Sequence, residues 1–507
     1  MRFFFLSIIF VTLSWSKFSA QEKNELLFRI VNSESSQPVA YATIKFTKSN
    51  NGTIANILGD FRIPIHYKKD SETLNISCIG YYSKKVDLSL LTSKPYHIIY
   101  LFPKTEALSE VVLSVEKTKE LSTRQIVKKA IENIKINYPV DPFSYIAYYR
   151  DYQFADEEYI NLNEGIVEVF DQGFTSHKIS DSLNATSLYS YKLNTDFKQD
   201  SLISNSIYNG AKQIKDGKMG SGIGNELTLL NIHNPIRNFN TGSFSFVYIF
   251  EKDFIKNHSF KNKGIVYLDD EELYKIAFVA KKEITGFAYN ATGYIYIARS
   301  DFAIHQFEYN LYSNSPRKLI FTLDVEYNQR ENGKMYLNYI TFNNNFFITE
   351  NDALQVENYY YNKENSSLYI EFNRPIDLKS IEKLNNIKIS FNDKKLTILK
   401  INAINGKTIE LKFKREDSDF LNQQNVSNLA LFSLKFKNYK DEIGFGMGKS
   451  KVEGYQFREL FVQRVFLNSE YNSKLKYIKK GESLRNAPLN NADITDYWLN
   501  SPLMKTE

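Results

Sequence analysis

The sequence predicts a mainly β protein made of β-sandwiches and one large curved antiparallel sheet. Its 507 residues exceed what one hydrophobic core ordinarily serves, so more than one domain is expected. Its 35 Tyr and 38 Phe against only 11 Pro favour extended strands, where aromatic side chains pack across the pleat. From residue 143 to 348, apolar and polar residues alternate in long runs joined by short polar turns. Such alternation is typical of antiparallel sheets with one buried and one wet face.

Residues 1–20 have the pattern of a secretory signal peptide. Arg2 supplies the positive charge, the run FFFLSIIFVTLSW is apolar but too short to span a membrane, and FSAQ offers a cleavage point after Ala20. No cysteine stands directly after that point, so a lipoprotein anchor is not expected, and no later apolar run reaches membrane-spanning length. We therefore expect an exported protein, in the periplasm or at the outer membrane or cell surface of a Gram-negative-type bacterium.

Residues 21–113 are predicted to form the first domain of the exported chain. Strand-like runs between Leu27 and Leu88 are separated by turn signals at Asn51-Gly52, Gly59-Asp60 and Gly80. The most specific residues are Pro38-Val39-x-x-Ala42-Thr43-Ile44, Asn51-Gly52-Thr53, Gly59-x-Phe61 and Leu74-x-Ile76-x-Cys78-x-Gly80-Tyr81. This pattern resembles the carboxypeptidase regulatory-like domain, which implies a transthyretin-like β-sandwich.

That resemblance implies an accessory module and no activity. The family domain carries no catalytic residues, and it precedes many TonB-dependent outer-membrane transporters and secreted proteins. Two positions depart from the family pattern. The glycine before the first strand is missing, and Ile54-Ala55-Asn56 stands where Thr-Asp is usual.

Residues 114–139 are predicted as a linker that contains the clearest helix of the chain. Ser122 and Gln125 have the spacing of a capping box, and Pro139 closes the far end. Apolar residues recur at helical spacing at Ile126, Ala130, Ile131 and Ile134. We expect this apolar stripe to pack against the next domain.

Three further segments complete the predicted organisation. Residues 140–350 form an antiparallel β body, and GYIYIARSDFAIHQFEYN resembles the central meander of lipoprotein-carrier-like proteins, which implies a half-barrel that wraps a helix. Residues 351–440 have the strand rhythm of a bacterial immunoglobulin-like (Ig-like) sandwich, with SLYIEFNRPID and KTIELKF as the most similar runs. Residues 441–507 are predicted as a C-terminal tail with one strand-like run, FRELFVQRVF.

The nucleophiles and metal ligands of the sequence do not form a recognisable catalytic set. Cys78 is the single cysteine, so neither a disulfide within the chain nor a cysteine zinc cluster is expected, and its strand-like surroundings favour a small buried hydrophobe. His305 and Glu308 match the His-x-x-Glu spacing of metallocarboxypeptidases. However, His305 is the last of six histidines, and positions i and i+3 of a regular strand face opposite sides.

The remaining candidates also favour ordinary structural roles. The glycine-rich segment 217–224 lacks phosphate-loop spacing, and Ser221 is no nucleophile elbow because Met219 and Ile223 stand where glycines are needed. The acidic runs 156–158 and 269–272 do not match a calcium loop, and the run 269–272 lies between two predicted strands, where a solvated turn is expected. Two tyrosine sets raise a sugar-stacking hypothesis, although cross-strand packing explains them more simply: Tyr359, Tyr360 and Tyr361, and Tyr145, Tyr148, Tyr149 and Tyr152. We therefore predict no catalytic, cofactor-binding or metal-binding residues and no cofactor.

The leading functional prediction is an exported, non-catalytic cell-envelope protein whose β-domains bind an envelope protein or glycan, as an accessory to outer-membrane transport or surface assembly. A net charge of +6 without a dense basic stripe argues against a nucleic-acid partner. Peripheral outer-membrane association is expected, and the oligomeric state stays open.

Two alternative functions are kept. An outer-membrane β-barrel with an N-terminal accessory domain is favoured by the long aromatic strands. Against it stand the final Lys-Thr-Glu and charged residues on both faces of many strands. A secreted hydrolase with an unrecognised site would be favoured by a cleft that gathers carboxylates and a histidine.

Overall fold

The structure is a computed structural model. It describes residues 25–49, 51–92, 96–104, 121–155, 158–178, 181–199, 225–315, 317–348, 354–426, 431–442, 446–447, 452–479 and 482–503. The predicted signal peptide and the glycine-rich segment 217–224 with Ser221 lie outside the described residues, as does most of the acidic run 156–158.

The first domain is a β-sandwich, here called the N-terminal sandwich. Its strands are β1 (Glu25–Asn32), β2 (Thr43–Phe46), β3 (Gly52–Ile54), β4 (Asp60–Pro64), β5 (Thr73–Ser77), β6 (Lys84–Asp87) and β7 (Tyr96–Leu101), with a helical turn α1 (His66–Lys69). One sheet has the order β4-β1-β7 and the other β3-β2-β5-β6. Alternate residues of β1 point inward, so Phe28 packs on Phe61 with ring centroids 4.6 Å apart.

A large antiparallel sheet forms the body of the protein. Among the described residues it holds ten strands in the order β10-β9-β8-β24-β16-β15-β14-β13-β12-β11. The strands are β8 (Phe143–Ala155), β9 (Glu158–Asp171), β10 (Ala185–Leu193), β11 (His258–Leu268), β12 (Glu271–Ala280), β13 (Tyr289–Ala298), β14 (Ile304–Asn314), β15 (Arg317–Gln329), β16 (Met335–Ile348) and β24 (Val452–Phe466). The prediction of a mainly β fold is confirmed.

The strand register gives this sheet two different faces. One row of directly paired residues crosses from Ile295 to Leu460 through Phe307, Val325 and Ile340, all of them buried and apolar. The next row crosses from Tyr296 to Phe461 through Gln306, Glu326 and Tyr339. We call the first side the helix face and the second side the polar face. Since residues alternate sides along each strand, the register alone separates the two.

Helices cover the helix face. They are α2 (Thr123–Glu132), α3 (Ile134–Asn137), α4 (Glu226–His233), a π-helical turn (Phe250–Phe254) that continues into α5 (Ile255–Asn257), and α6 (Lys282–Thr285). Ser122 and Gln125 form the predicted capping box at the start of α2. The apolar stripe of α2 lies in the same hydrophobic core as the sheet, as the helical spacing predicted.

The C-terminal sandwich is inserted into the large sheet. Its strands are β17 (Val356–Asn362), β18 (Ser367–Phe372), β19 (Ile387–Phe391), β20 (Lys394–Leu396), β21 (Ile398–Ala403), β22 (Thr408–Phe413) and β23 (Phe432–Phe436), with helices α7 (Leu378–Ile381) and α8 (Arg415–Gln423). One sheet has the order β17-β18-β22-β21, and β20-β19-β23 packs with it around a shared core. The chain leaves the large sheet at Ile348 and re-enters at Val452, and these two residues are paired neighbours.

The predicted C-terminal tail therefore needs a correction. Its strand-like run belongs to β24, which lies between β8 and β16 in the middle of the large sheet. The partners of β24 are distant in sequence, so local pattern could not place it. No helix in the described part of the chain is long and apolar enough to cross a membrane.

Candidate functional site

The N-terminal sandwich packs directly on the polar face of the large sheet, and we call this contact the joint. Asn338 Nδ2 donates to Thr43 Oγ1 of the sandwich and to Glu326 Oε1 of the sheet, both at 2.7 Å. Tyr41 stacks on Tyr339 with ring centroids 5.1 Å apart. The joint is therefore a packed and hydrogen-bonded interface.

Residues 496–502, here called the strap, lie between the sandwich and the sheet. Trp498 is buried in the sandwich core, and its Nε1 donates to Arg62 O at 2.8 Å. Asn500 Nδ2 donates to Ile54 O at 2.8 Å, while Asn500 O accepts from Arg150 Nη1 of the sheet at 3.2 Å. The strap therefore connects both sides of the joint.

Extra residues in the strands bring polar side chains to the joint. The register shifts by one residue at His305 in β14, at Asn338 in β16 and at Gln463 in β24. Such β-bulges re-aim side chains and interrupt strict alternation. Asn338 bonds to the sandwich, and Gln463 Nε2 donates to Trp498 O of the strap at 2.9 Å. Sequence reasoning had no signal for these bulges, because none carries a glycine or proline.

A polar cavity of about 230 Å³ opens at one end of the joint. We call it the joint cavity. Its sandwich wall is Lys45 and Ser77, and its other walls come from the strand ends and turns of the large sheet. The residues that line it are Lys45, Ser77, Leu268, Asp269, Glu271, Ala298, Ser300, Asp301, His305, Asn328 and Gln329. Polar side chains therefore dominate the lining.

Burial lowers the pKa of two basic side chains that line the cavity, His305 and Lys45. Burial lowers the pKa of His305 to about 4, so its imidazole is neutral at pH 7. Burial also lowers the pKa of Lys45, and Arg330 lowers it further, whereas Asp269 opposes the shift. His305 Nδ1 has no hydrogen-bond partner among the described residues. The cavity therefore presents a neutral imidazole beside carboxylate, hydroxyl and amide groups.

The His-x-x-Glu pair is arranged differently from the prediction. We expected His305 and Glu308 on opposite faces. The bulge at His305 breaks the alternation, so His305 lines the cavity with sandwich residues, while Glu308 also lies on the polar face opposite Asp324. Within the ranges that the structure describes, no three His, Cys, Asp or Glu side chains are grouped so that they could hold a metal ion.

Three carboxyl groups with raised pKa lie beside the cavity on the polar face. Burial raises the pKa of Glu326 to about 7. Burial also raises the pKa of Asp324 and of Glu308, and the charge of Glu308, opposite Asp324 on the paired strand, raises the pKa of Asp324 further. Gln306 Nε2 donates to Asp324 at 2.9 Å. Thr43 covers Glu326, so this group faces the sandwich and not open solvent.

Cys78 follows β5 and packs, half-buried, against the core of the N-terminal sandwich. Burial raises the pKa of its thiol, which therefore stays protonated at neutral pH. The thiol has the character expected of a packing residue.

Asp269 and Asp270 of the acidic run 269–272 form the predicted turn between β11 and β12, Glu271 and Glu272 begin β12, and only part of the run is solvated. Ser83 of the sandwich donates to Asp269, and Lys104 Nζ donates to Asp269 O at 2.7 Å. Glu271 lines the joint cavity and accepts from Ser300 Oγ at 2.6 Å. Sequence reasoning missed Lys45, Ser300 and Asp301 as cavity residues. The Ser-Asp turn between two strands was a signal for Ser300 and Asp301 only.

A small cavity of about 20 Å³ lies on the helix face, between the sheet and α4, beside the ion pairs that Asp171 makes with Lys178 at 2.9 Å and Arg237 at 2.8 Å.

The tyrosine sets differ in exposure. Tyr145, Tyr148, Tyr149 and Tyr152 are buried, as the cross-strand packing explanation expects. Tyr361 is buried as well, and Tyr359 packs against Phe432. Tyr360 is 51% exposed.

Comparison with known proteins supports the character of the first domain. Residues 29–113 match the family model described as CarboxypepD_reg-like domain, so the N-terminal sandwich is a carboxypeptidase regulatory-like domain. No curated protein matched the chain.

Several solved structures show a distant likeness. A LolA superfamily protein from Nitrosomonas europaea is 13% identical, with 44% of this chain and 86% of that protein covered and a TM-score of 0.20. A domain named for outer membrane lipoprotein sorting, from Vibrio parahaemolyticus, is 10% identical, with the same coverage and a TM-score of 0.20. A DUF1329 family protein from Desulfovibrio piger is 10% identical, with 43% and 85% covered and a TM-score of 0.18. These scores are low, so the architecture rests on the strand pairing described above.

Proposed function

We propose that this protein is a non-catalytic binding protein of the bacterial cell envelope, in which the joint cavity recognises a polar segment of an envelope protein or glycan. The observation that carries the proposal is the cavity of about 230 Å³ shared by two domains and lined mainly by polar side chains. Ligand-binding pockets occur preferentially at interfaces between domains.

The chemistry of the lining favours a ligand that donates hydrogen bonds. Asp269, Glu271 and Asp301 contribute carboxylates, and Asn328 and Gln329 contribute amides. A ligand with several hydroxyl or amine groups would satisfy these acceptors, whereas an apolar ligand would leave them unpaired. The rigid joint, held by the strap and by Asn338, would keep the two walls at a fixed separation.

The predicted leader and the type of the first domain support the location. A carboxypeptidase regulatory-like domain behind an export signal fits an accessory protein of the periplasm or outer membrane, held there peripherally.

A variant that fills the cavity mouth tests the proposal. Ser300 is exposed and lines the mouth, so Ser300→Trp should block entry without disturbing the core. Ser473→Trp, on an exposed turn outside the lining, is the matched control. Binding of soluble peptidoglycan fragments and of a set of polar peptides would be measured by calorimetry. We expect at least about ten-fold weaker binding for Ser300→Trp only. Absence of binding to the unaltered protein, or equal loss in both variants, would contradict the proposal.

A hydrolase is the second candidate. Carboxyl groups with raised pKa lie on the polar face at Glu326, Asp324 and Glu308, and His305 in the cavity lining is neutral; perturbed groups of this kind are frequent at catalytic sites. Their cover by the sandwich favours a structural role instead. Turnover of glycoside or peptide substrates that Glu326→Gln abolishes and Ser473→Trp preserves would favour the hydrolase and contradict the non-catalytic proposal.

A further inference from the structure

A row of four polar and aromatic side chains crosses the outer face of the C-terminal sandwich. Tyr360 of β17 is paired with Tyr369 of β18, Tyr369 with Glu410 of β22, and Glu410 with Asn402 of β21. Directly paired residues project to the same side of a sheet, so all four share one face. This row is distant in sequence from the joint and shares no residue with the joint cavity.

The two tyrosine rings stack on each other, and Tyr360 lies on β17, the outermost strand of its sheet among the described residues. Tyr360 and Tyr369 are stacked with centroids 5.1 Å apart and planes inclined by 14°. The pairing leaves Tyr360 51% exposed. Cross-strand packing accounts for the stacking of the rings on each other, yet it leaves outer ring surface in water.

Hydrogen bonds fix the polar half of the row. Tyr369 OH donates to Glu410 Oε1 at 3.1 Å, and Asn402 Nδ2 donates to Glu410 Oε2 at 2.8 Å. The bond from Asn402 lowers the pKa of Glu410 and keeps its carboxylate ionised at neutral pH. Asn365 Nδ2 also donates to Tyr369 OH at 2.6 Å. The row is therefore pre-organised before any ligand arrives.

The sheet beneath the row is rigid. Residues that alternate with the row point inward and are fully packed: Leu368, Ile370, Ile409 and Leu411. Binding side chains held on packed strands lose little freedom when a ligand binds.

We propose that the row Tyr360–Tyr369–Glu410–Asn402, here called the aromatic row, binds a neutral glycan chain. The C–H face of a sugar ring can stack on the exposed ring of Tyr360, and hydroxyl groups along the chain can hydrogen-bond to the fixed carboxylate and amide of the same row. Exposed Glu371 and Lys412 flank the row with opposite charges. A polyanion such as a nucleic acid therefore gains no net electrostatic attraction there.

The experiment uses the full chain and a defined set of neutral hexasaccharides: β-1,4-glucan, β-1,3-glucan, α-1,4-glucan and β-1,4-linked N-acetylglucosamine. Affinity is measured by calorimetry for the unaltered protein, Tyr360→Ala and Tyr360→Phe. We expect binding to at least one glycan, a loss of about ten-fold or more in Tyr360→Ala, and affinity within about three-fold in Tyr360→Phe, which keeps the ring. Circular dichroism checks that folding is unchanged.

The matched control is Tyr82→Ala, because Tyr82 is 54% exposed but lies on the N-terminal sandwich. Its affinity should equal that of the unaltered protein. No binding to any hexasaccharide, or an equal loss in Tyr82→Ala, would overturn the inference. Loss in Ser300→Trp with full binding in Tyr360→Ala would move glycan binding to the joint cavity, overturning this inference while supporting the proposed function.

Discussion

The strap makes the clearest prediction, because it holds two domains together through one large side chain. Trp498 is 7% exposed, packs 5.5 Å from the ring of Phe46 and 5.6 Å from that of Tyr67, and donates to Arg62 O. Replacing it with alanine removes the ring and leaves the carbonyl without its donor.

The magnitude follows from the buried area. A buried aromatic side chain removes about 150–250 Å² from water, and at about 25 cal/mol per Å² this amounts to roughly 4–6 kcal/mol. Alanine keeps a small part of that area, so Trp498→Ala should lower the free energy of unfolding by about 4 kcal/mol, within the usual range for this change. Trp498→Phe keeps most of the packing but loses the hydrogen bond, and should cost about 1–2 kcal/mol.

The assay is urea unfolding of a chain that begins at residue 21. The sequence has two tryptophans, Trp15 in the predicted signal peptide and Trp498, so the fluorescence of a chain that begins at residue 21 reports the strap alone. The unaltered protein should show a red shift when the sandwich separates from the strap. Far-UV circular dichroism gives the unfolding midpoints of the variants, and Leu489→Ala, which is 52% exposed, should change them by less than about 0.5 kcal/mol.

A small effect would refute this account of the strap. If Trp498→Ala costs less than about 1 kcal/mol, or no more than Leu489→Ala, the ring does not hold the joint. A fluorescence spectrum typical of exposed tryptophan before any urea is added would also show that the Trp498 ring does not hold the joint.

Three further predictions concern buried groups. Glu326 has a pKa raised from 4.5 to about 7 in the folded state, so its contribution to stability should be complete below pH 4.5 and fall by about 3 kcal/mol as the pH rises to 7, and Glu326→Gln should flatten that part of the urea midpoint profile. Asp171→Asn should lower stability at pH 7 by about 3–5 kcal/mol in the same assay, because two buried cations lose their partner. Gly293→Ala should cost about 3 kcal/mol or prevent folding, measured by urea unfolding and soluble yield, because a Cβ there would lie 1.9 Å from Glu308 O.

Each of these three predictions has a result that would contradict it, and the glycine change also has a control. An unchanged pH profile in Glu326→Gln would mean that this carboxyl group ionises in the folded state as it does in the unfolded chain. A cost below about 1 kcal/mol for Asp171→Asn would mean that the cations are solvated. Gly406→Ala, where the nearest atom to a Cβ is Pro375 Cβ at 3.7 Å, should be neutral, and an equal effect of the two glycine changes would contradict the steric argument.

Local pattern predicted much of this fold correctly. The turn signals and motif residues of the first domain predicted the N-terminal sandwich, and Ser122 with Gln125 predicted the start of α2. Alternation predicted the long antiparallel strands and the chemical difference between their two faces, but the face expected to be wet is buried where the N-terminal sandwich packs on it. These features depend on residues close together in the sequence, where backbone preference and side-chain period act directly. The signal peptide stays a prediction, as does the non-catalytic character.

The candidate sites were harder to predict from the sequence. The run Tyr359, Tyr360 and Tyr361 raised a sugar-stacking hypothesis beside the simpler explanation of cross-strand packing, but the row that joins Tyr360 to Glu410 exists only through the pairing of separate strands. Likewise, His305 was considered as a metal ligand in a regular strand, whereas a bulge turns it toward a cavity whose opposite wall is the N-terminal sandwich.

By itself, then, the sequence determined the strands, the capped helix, the type of the first domain and the two chemical faces of the large sheet. The tertiary structure alone decided what covers each face: helices on one side, the sandwich and the strap on the other, with β24 completing the sheet after an inserted domain. The physical reason is that a period of two specifies on which side a residue lies, while the partner on that side is chosen by packing between segments hundreds of residues apart.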